Sequence, residues 1–365
     1  MKGQLIMKKI FICIIALFAT ILLIISPEKS VGYALDSLGI CYEVIIPSLF
    51  PFFVCSSLLV YSGFCDSLSK SMRFVMKPLF NINGAGAAAF VLGLVSGYPL
   101  GALTACQLYE GSYLSKSEAE RLLAFCNNSG PLFILGAVGA AMYHSVTFGV
   151  ILYCSHILAA FTVGIIMRFY KRDSYTPPHA PIATVQKSVG EIFRISLSNS
   201  VNSILTVCGA VIFVSVISKL FLEFVPATGI MHSVILGGFE FVSGMSELSG
   251  LDISLFSKLL LSSWIVGFAG LSVHLQVMAV VSHSGLSLVP YITGKVMHGI
   301  ISAVYSFILW KICMPARSVF APASRSLSVF TSSLYTLISV GTVVAICIIL
   351  SVFLYHKNTK AQIPG

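Results

Sequence analysis

Apolar residues run in long blocks along this chain, and polar residues gather in short stretches between them. A helix that crosses a bilayer needs about 20 consecutive, mostly apolar residues. Seven stretches meet that length, at 9–26, 39–62, 122–142, 146–168, 197–222, 259–282 and 333–355, and an eighth candidate lies at 287–310. Two further apolar regions, 84–109 and 229–250, are interrupted by small and polar residues and predict hairpins that enter the membrane and turn back. The pattern predicts an all-α polytopic integral membrane protein with about eight transmembrane helices and two interrupted, re-entrant hairpins.

The longest polar stretch, Arg168 to Arg194, holds Pro177, Pro178 and Pro181 and divides the pattern into two parts. Each part runs through a helix, a Gly-rich interrupted region and a second break inside an apolar stretch. Ser96-Gly97 and Ser243-Gly244 lie in corresponding places, as do Gly130 and Gly270. With three full spans in the first part, the second is inverted relative to the first, which is the plan of many secondary transporters. The expected organisation is an N-terminal membrane anchor helix (1–35), a first repeat (36–168), a cytoplasmic linker (169–195), a second repeat (196–310), and a loop with a C-terminal transmembrane helix (311–365).

Irregular backbone at membrane depth persists only where protein buries it or water wets it, because every N–H and C=O needs a partner in hydrocarbon. The breaks at Gly97/Pro99, Gly130/Pro131, Gly244 and Gly270 therefore mark a candidate cavity. In the first part, Asn127, Asn128 and Ser129 are expected to cap a helix that begins at Pro131. A helix starting in mid-membrane points free N–H groups and positive partial charge into the site, which favours an anionic substrate group.

The chain is 57% hydrophobic and 10% charged, against roughly 25% charged in soluble proteins, so no part reads as an independent soluble domain. Its net charge of +9 is dispersed over short loops and predicts no nucleic-acid partner. With the N-terminus in the cytoplasm, fifteen of the twenty-two Lys and Arg residues fall inside; Lys311, Arg317 and Arg325 go against the rule. The first apolar stretch lacks a small-x-small cleavage pattern at Ser26-Pro27-Glu28 and is read as a retained helix. Ten cysteines form no C-x-x-C pair, and neither a disulfide framework nor a metal site is expected. No H-E-x-x-H or G-x-S-x-G motif is present, so no catalytic residue is assigned and no enzyme activity is expected.

Intramembrane carboxylates are costly and functional by default. Glu240 and Glu247, seven residues apart around Ser243-Gly244, are candidates for a coupling-ion or proton acceptor or a hydrogen-bond anchor; for Glu247 an interfacial loop is the alternative. His274 and Gln276 follow the second break and read as structural residues, with ligation the alternative. Asn199 and Asn202 face the cavity or join helices. Pro47 and Pro51 predict a kink. Lys295, beside His298, is expected to snorkel to the interface.

Four segments, Pro47-Ser-Leu-Phe-Pro-Phe-Phe53, Ser96-Gly-Tyr-Pro-Leu-Gly101, Asn127-Asn-Ser-Gly-Pro-Leu-Phe-Ile134 and Gly238-Phe-Glu240, carry a resemblance over about residues 35–310. In these the sequence resembles the sporulation integral membrane proteins of endospore-forming bacteria, within the nucleoside-recognition or Gate-domain group, which looks distantly related to concentrative nucleoside transporters. The resemblance implies a multi-pass protein of the bacterial cytoplasmic membrane, in sporulation the outer forespore membrane, that moves dipicolinic acid. The expected function is transport of a small organic anion, most simply dipicolinate; a nucleoside transporter and a non-transporting assembly factor are the alternatives. The expected substrate-binding set is Ser96, Gly97, Tyr98, Asn127, Asn128, Ser129 and Gly130 from one part and Glu240, Ser243, Gly244 and Glu247 from the other. No cofactor is expected beyond a coupling proton or Na+, and the partners expected besides the substrate are the bilayer and a second copy of the chain.

Overall fold

The computed structural model describes residues 2–62, 64–171 and 188–313, and among these every regular element is a helix. Residues up to Leu309 form one compact unit; beyond it only the last turn of one helix, through Cys313, is described. The predicted span at 333–355, the 314–332 part of the loop, and linker residues 172–187 lie outside the described residues.

The chain opens with α1 (Lys2–Ile25) and α2 (Pro27–Ile40), and α2 continues through a short wide-turned π segment, Cys41–Ile45, into α3 (Ile46–Tyr61). Next come α4 (Phe64–Val75), a second π segment (Met76–Phe80), and the hairpin α5 (Gly86–Ser96) and α6 (Leu100–Glu110). α7 (Lys116–Cys126) leads across a break into a third π segment (Leu132–Met142), and α8 (Val146–Met167) closes the first half. The second half begins with α9 (Val189–Leu222), which starts inside the stretch assigned to the linker. The hairpin α10 (Gly229–Phe239) and α11 (Phe241–Gly250) follows, then α12 (Leu255–Phe268) and α13 (Gly270–Val281) across a second break, and α14 (Val289–Cys313). A long helix, a hairpin, a broken helix and a long helix thus occur in that order twice.

Among the described residues, five segments are long and apolar enough to cross a membrane: Pro27–Leu59, Val146–Met167, Val189–Leu222, Leu255–Val281 and Val289–Cys313. Large apolar side chains cover their outer surfaces, including Val31 and Leu35 on α2, Leu205 and Phe213 on α9, and Ile300 and Val304 on α14. Such a surface is stable against lipid and not against water. Pro51 lies within α3, its missing donor one of the few irregularities of that helix.

Contacts sort the loops to two ends. At the linker end, fully buried Arg121 donates to Tyr170 O, Lys171 O and Asn81 O, tying the turn that follows α8 to the end of the second π segment. Beside it Glu120 takes hydrogen bonds from Lys171 Nζ at 2.9 Å and from Ser287 N at 3.1 Å. That carboxylate holds the Lys171 ammonium above its usual range. At the opposite end Lys29 Nζ meets Glu223 Oε2 at 2.6 Å, joining α2 to the end of α9, and the bond holds Glu223 below the usual carboxylate range. Hairpin α5–α6 enters from the linker end, where Glu118 accepts from Asn83 N. Hairpin α10–α11 follows the far end of α9 and so enters from the opposite side. The two halves are inverted.

Packing between halves relies on hydroxyl chains. Ser37, Ser215 and Ser243 connect α2, α9 and α11 at 2.9 and 3.0 Å, and Ser155, Ser306 and Ser263 connect α8, α14 and α12 at 2.8 and 2.5 Å. Hydrogen bonds between helices and close approach at small residues are the main sources of specificity where lipid removes the hydrophobic drive.

Candidate functional site

The first break is built by glycine. At the end of α5, Gly97 takes φ of +86°, a left-handed conformation that a side chain opposes. A Cβ on Gly93 would lie 1.7 Å from Cys126 O, and one on Gly101 2.1 Å from the same oxygen. Both arms of the hairpin are therefore pressed onto the last carbonyl of α7, and Gly97 packs backbone to backbone on Gly130. Beyond Cys126 the chain is extended through Asn127 until the π segment begins.

The expected capping is not found there. Pro131 precedes the π segment and no side chain bonds its first turn, while Asn128 Nδ2 donates backward to Phe125 O at 2.8 Å. Asn128 thus closes the C-terminal end of α7 instead of the start of the next helix.

The second half breaks at matching places with different chemistry. Ala269 and Gly270 take φ of +76° and +73°, and a Cβ on Gly270 would lie 3.0 Å from Gly237 O. Fully buried Glu240 N-caps α11, accepting from Val242 N at 3.1 Å and Ser243 N at 2.6 Å. This pairing satisfies the free N–H groups of α11 as a capping side chain does elsewhere.

The breaks meet at the centre of the unit. Tyr98 reaches across to donate to Val266 O at 3.1 Å, and its ring stands edge-on to Phe241, 5.9 Å between centroids. Phe133 lies 5.3 Å from the same Phe241. Between them, Gly97, Ser129, Gly130, Val242 and Gln276 line a cavity of about 20 Å³. That is room for a water molecule, which needs about 10–15 Å³ by the same measure.

Behind this wall stands Lys295. It is 1% exposed, so it does not snorkel as the sequence led us to expect; it sits in the second turn of α14 and the side chain is enclosed by protein. Nζ donates to Asn127 O at 2.9 Å and lies 5.1 Å from the centre of the Tyr98 ring. An ammonium has three N–H donors, and among the described residues no carboxylate pairs with it. One turn on, His298 packs against His156 of α8, the rings tilted by 34° with 4.3 Å between their centres. His156 Nε2 accepts from Ser129 N at 3.1 Å. Tyr291, one turn before the lysine, bonds His274 Nδ1 at 3.0 Å.

Buried polar atoms without a hydrogen-bond partner gather around these groups: both amide atoms of Asn127, Asn128 Oδ1, Nδ1 of His156 and His298, His274 Nε2 and Gln276 Oε1. Native interiors leave few such atoms, and a cluster of them marks a place where water or a ligand belongs.

The structure brings together Gly97, Tyr98, Asn127, Asn128, Ser129 and Gly130. Ser96 is near but bonds Ser56 Oγ. Ser243 is engaged in the hydroxyl chain to Ser215, and Gly244 is a packing glycine whose Cβ would lie 2.3 Å from Gly237 Cα. Glu247 lies apart at the opposite end, a third exposed, paired with His232 Nδ1 at 2.6 Å and Ser233 Oγ at 3.1 Å. Asn199 bonds Tyr61 OH in a separate fissure between α3, α6 and α9. Sequence reasoning missed His156, gave His298 no role and misread Lys295. The signal was present: Tyr291, Lys295, His298, Ser302 and Ser306 recur at helical spacing in an otherwise apolar span, so one face of α14 is polar and buried.

Residues 43–169, which span α3 to α8, match the Gate family model, described as nucleoside recognition. No solved structure matches. The chain is 29% identical over 374 aligned positions to the sporulation integral membrane protein YlbJ of Bacillus subtilis (strain 168), covering 91% of each. This is a multi-pass membrane protein whose first half matches the Gate model and which, over nine-tenths of its length, is similar to a sporulation integral membrane protein.

Proposed function

We propose that this protein carries a small organic anion across the membrane and that Lys295 is its anchor. The observation that carries the reading is a lysine buried where the helix breaks of both halves meet, with donors to spare and no carboxylate facing it. A buried ammonium within a membrane helix is costly unless it is paired, and an anionic ligand offsets that penalty. Asn127 and Asn128 supply unoccupied amide atoms, and the rings of Tyr98, Phe133 and Phe241 supply an aromatic wall. A flat aromatic dicarboxylate such as dipicolinate suits both features, and the similarity to a sporulation protein supports that choice.

Ligand pockets usually measure about 300–1,000 Å³, so the 20 Å³ cavity must widen to admit such an anion. The inverted halves supply the means: one half rocks against the other, opening the wall to one end and then the other. Arg73, Lys77, Lys116, Arg121, Arg168 and Lys171 collect at the linker end, against Lys29, Lys219 and Lys258 at the opposite end. By the positive-inside rule the linker end faces the cytoplasm and the N-terminus is inside, in the outer forespore membrane if the protein serves sporulation.

The Gate description favours one other reading, a nucleoside as the substrate. Against it, Glu240 is turned onto the start of its own helix, each oxygen accepting a backbone N–H of α11. Uptake of labelled dipicolinate into vesicles of the purified protein, with uridine as competitor, separates the two. The anion reading expects uptake that uridine leaves unchanged and Lys295→Gln abolishes; uptake blocked by uridine would replace dipicolinate with a nucleoside, and a well-folded protein that moves neither would leave an assembly role.

A further inference from the structure

The two histidines behind Lys295 differ in their hydrogen bonds, and the difference fixes where each carries its proton. His156 Nε2 accepts from the Ser129 N–H, so the neutral ring holds its hydrogen on Nδ1. His298 Nε2 faces His156 O at 3.0 Å, an acceptor, so that ring holds its hydrogen on Nε2. The bare Nδ1 of His298 and the Nδ1–H of His156 are both buried without a partner. His298 can take a proton on Nδ1 and keep its bond to the carbonyl. His156 could be protonated only by giving up Ser129.

We propose that His298 Nδ1 takes up a proton that travels with the anion, making the protein a proton–anion symporter. This rests on the anion-transport reading and adds the coupling ion and its site. The proton adds to the Nδ1 lone pair to give an imidazolium with N–H at both nitrogens; no bond in the substrate changes, and the proton leaves from the same atom on the other side. Coupling follows from charge. With the site empty of anion, the Lys295 ammonium one turn away repels a second positive charge; with an anion on Lys295, the imidazolium is neutralised as well. By linkage the proton strengthens anion binding by the same factor.

The titratable groups around His298 are few. Its own helix brings Lys295 and Tyr291, α8 brings His156, α13 brings His274 through Tyr291, the first hairpin brings Tyr98, and α7 ends at Cys126. α12 meets it through Gly267 backbone, and that helix's Lys258 is bonded to Ser249 O elsewhere. Among the described residues no ion pair includes either of these two histidines.

The test uses the full-length protein in liposomes with labelled dipicolinate. Counterflow at equal pH on both sides reads carriage alone; accumulation under an acid-outside gradient, with the membrane potential clamped, reads coupling. One proton per anion predicts about tenfold accumulation for each unit of pH difference, with alkalinisation of the medium as dipicolinate enters. His298→Gln, which keeps a donor for His156 O, should retain counterflow and lose both gradient responses. His298→Asn serves as the second variant where glutamine disturbs the helix. Counterflow in the wild type without gradient response or alkalinisation overturns the symport and leaves the carrier reading standing. A neutral variant that still accumulates against the gradient overturns the assignment to His298. Absence of counterflow in the wild type brings down both readings.

Discussion

The two breaks occupy corresponding places in the two halves, yet they have opposite chemistry. In the first, Asn127 and Asn128 leave amide atoms without partners and the Asn127 carbonyl receives a lysine from α14. In the second, Glu240 closes on Val242 N and Ser243 N, and Gly244 and Gly270 fit tightly against the α10 backbone. The first break is the open one, with unpartnered amide atoms at the interruption itself; at the second, Glu240 closes the start of α11, and the unpartnered His274 Nε2 and Gln276 Oε1 lie farther along α13. A repeated plan therefore does not imply repeated chemistry: corresponding interruptions carry free amides in one half and a carboxylate cap in the other.

That contrast can be broken by mutation. The largest expected effect is at the lysine that serves the open break: Lys295→Ala should lower dipicolinate uptake about 100-fold, the scale of a charge-assisted hydrogen bond in a desolvated site. If that variant transports normally, the open break is not the anion site. Asn127→Ala should lower uptake about tenfold with little loss of thermal stability in detergent, because its buried amide atoms, near Tyr291, make no well-formed hydrogen bond. A stability loss without a transport defect would make Asn127 structural and erase the contrast.

The second break should respond the other way round. Glu240→Ala leaves two buried N–H groups of α11 unpaired, at a cost of about 1–3 kcal/mol each, so unfolding in denaturing detergent should come earlier. Uptake per folded molecule should fall much less than at Lys295, and an equal fall would put Glu240 back among the ligand groups. The smallest effect is at Glu247, paired with His232 at the rim: Glu247→Gln should change stability by about 1 kcal/mol or less and leave uptake as it was.

Helix blocks, hairpins and both breaks were legible in the sequence because length, glycine and proline act locally: Gly97 and Gly270 stand at positive φ where the pattern placed interruptions. The site was legible only in part. Asn127, Asn128 and Tyr98 sat beside a visible break, but the role of Asn128 depends on a backbone direction that spacing does not give. Glu240 drew attention because a carboxylate in an apolar run is conspicuous, and the pattern could not show that its partners lie two and three residues ahead. Lys295 was misread because depth in a membrane is a tertiary property. Its acceptor is 168 residues away in sequence.

That distance has a consequence for how the protein is made. When α14 leaves the ribosome it carries two lysines, two tyrosines and a histidine, on a helix whose other face, with Ile292, Val296, Ile300 and Val304, is ready for lipid. By then α7 and α8 have long been synthesised, and the Asn127 carbonyl and His156 are in the chain to receive it. The acceptors for the polar face of α14 are thus already in the chain when that helix is made, so its burial does not depend on segments synthesised later.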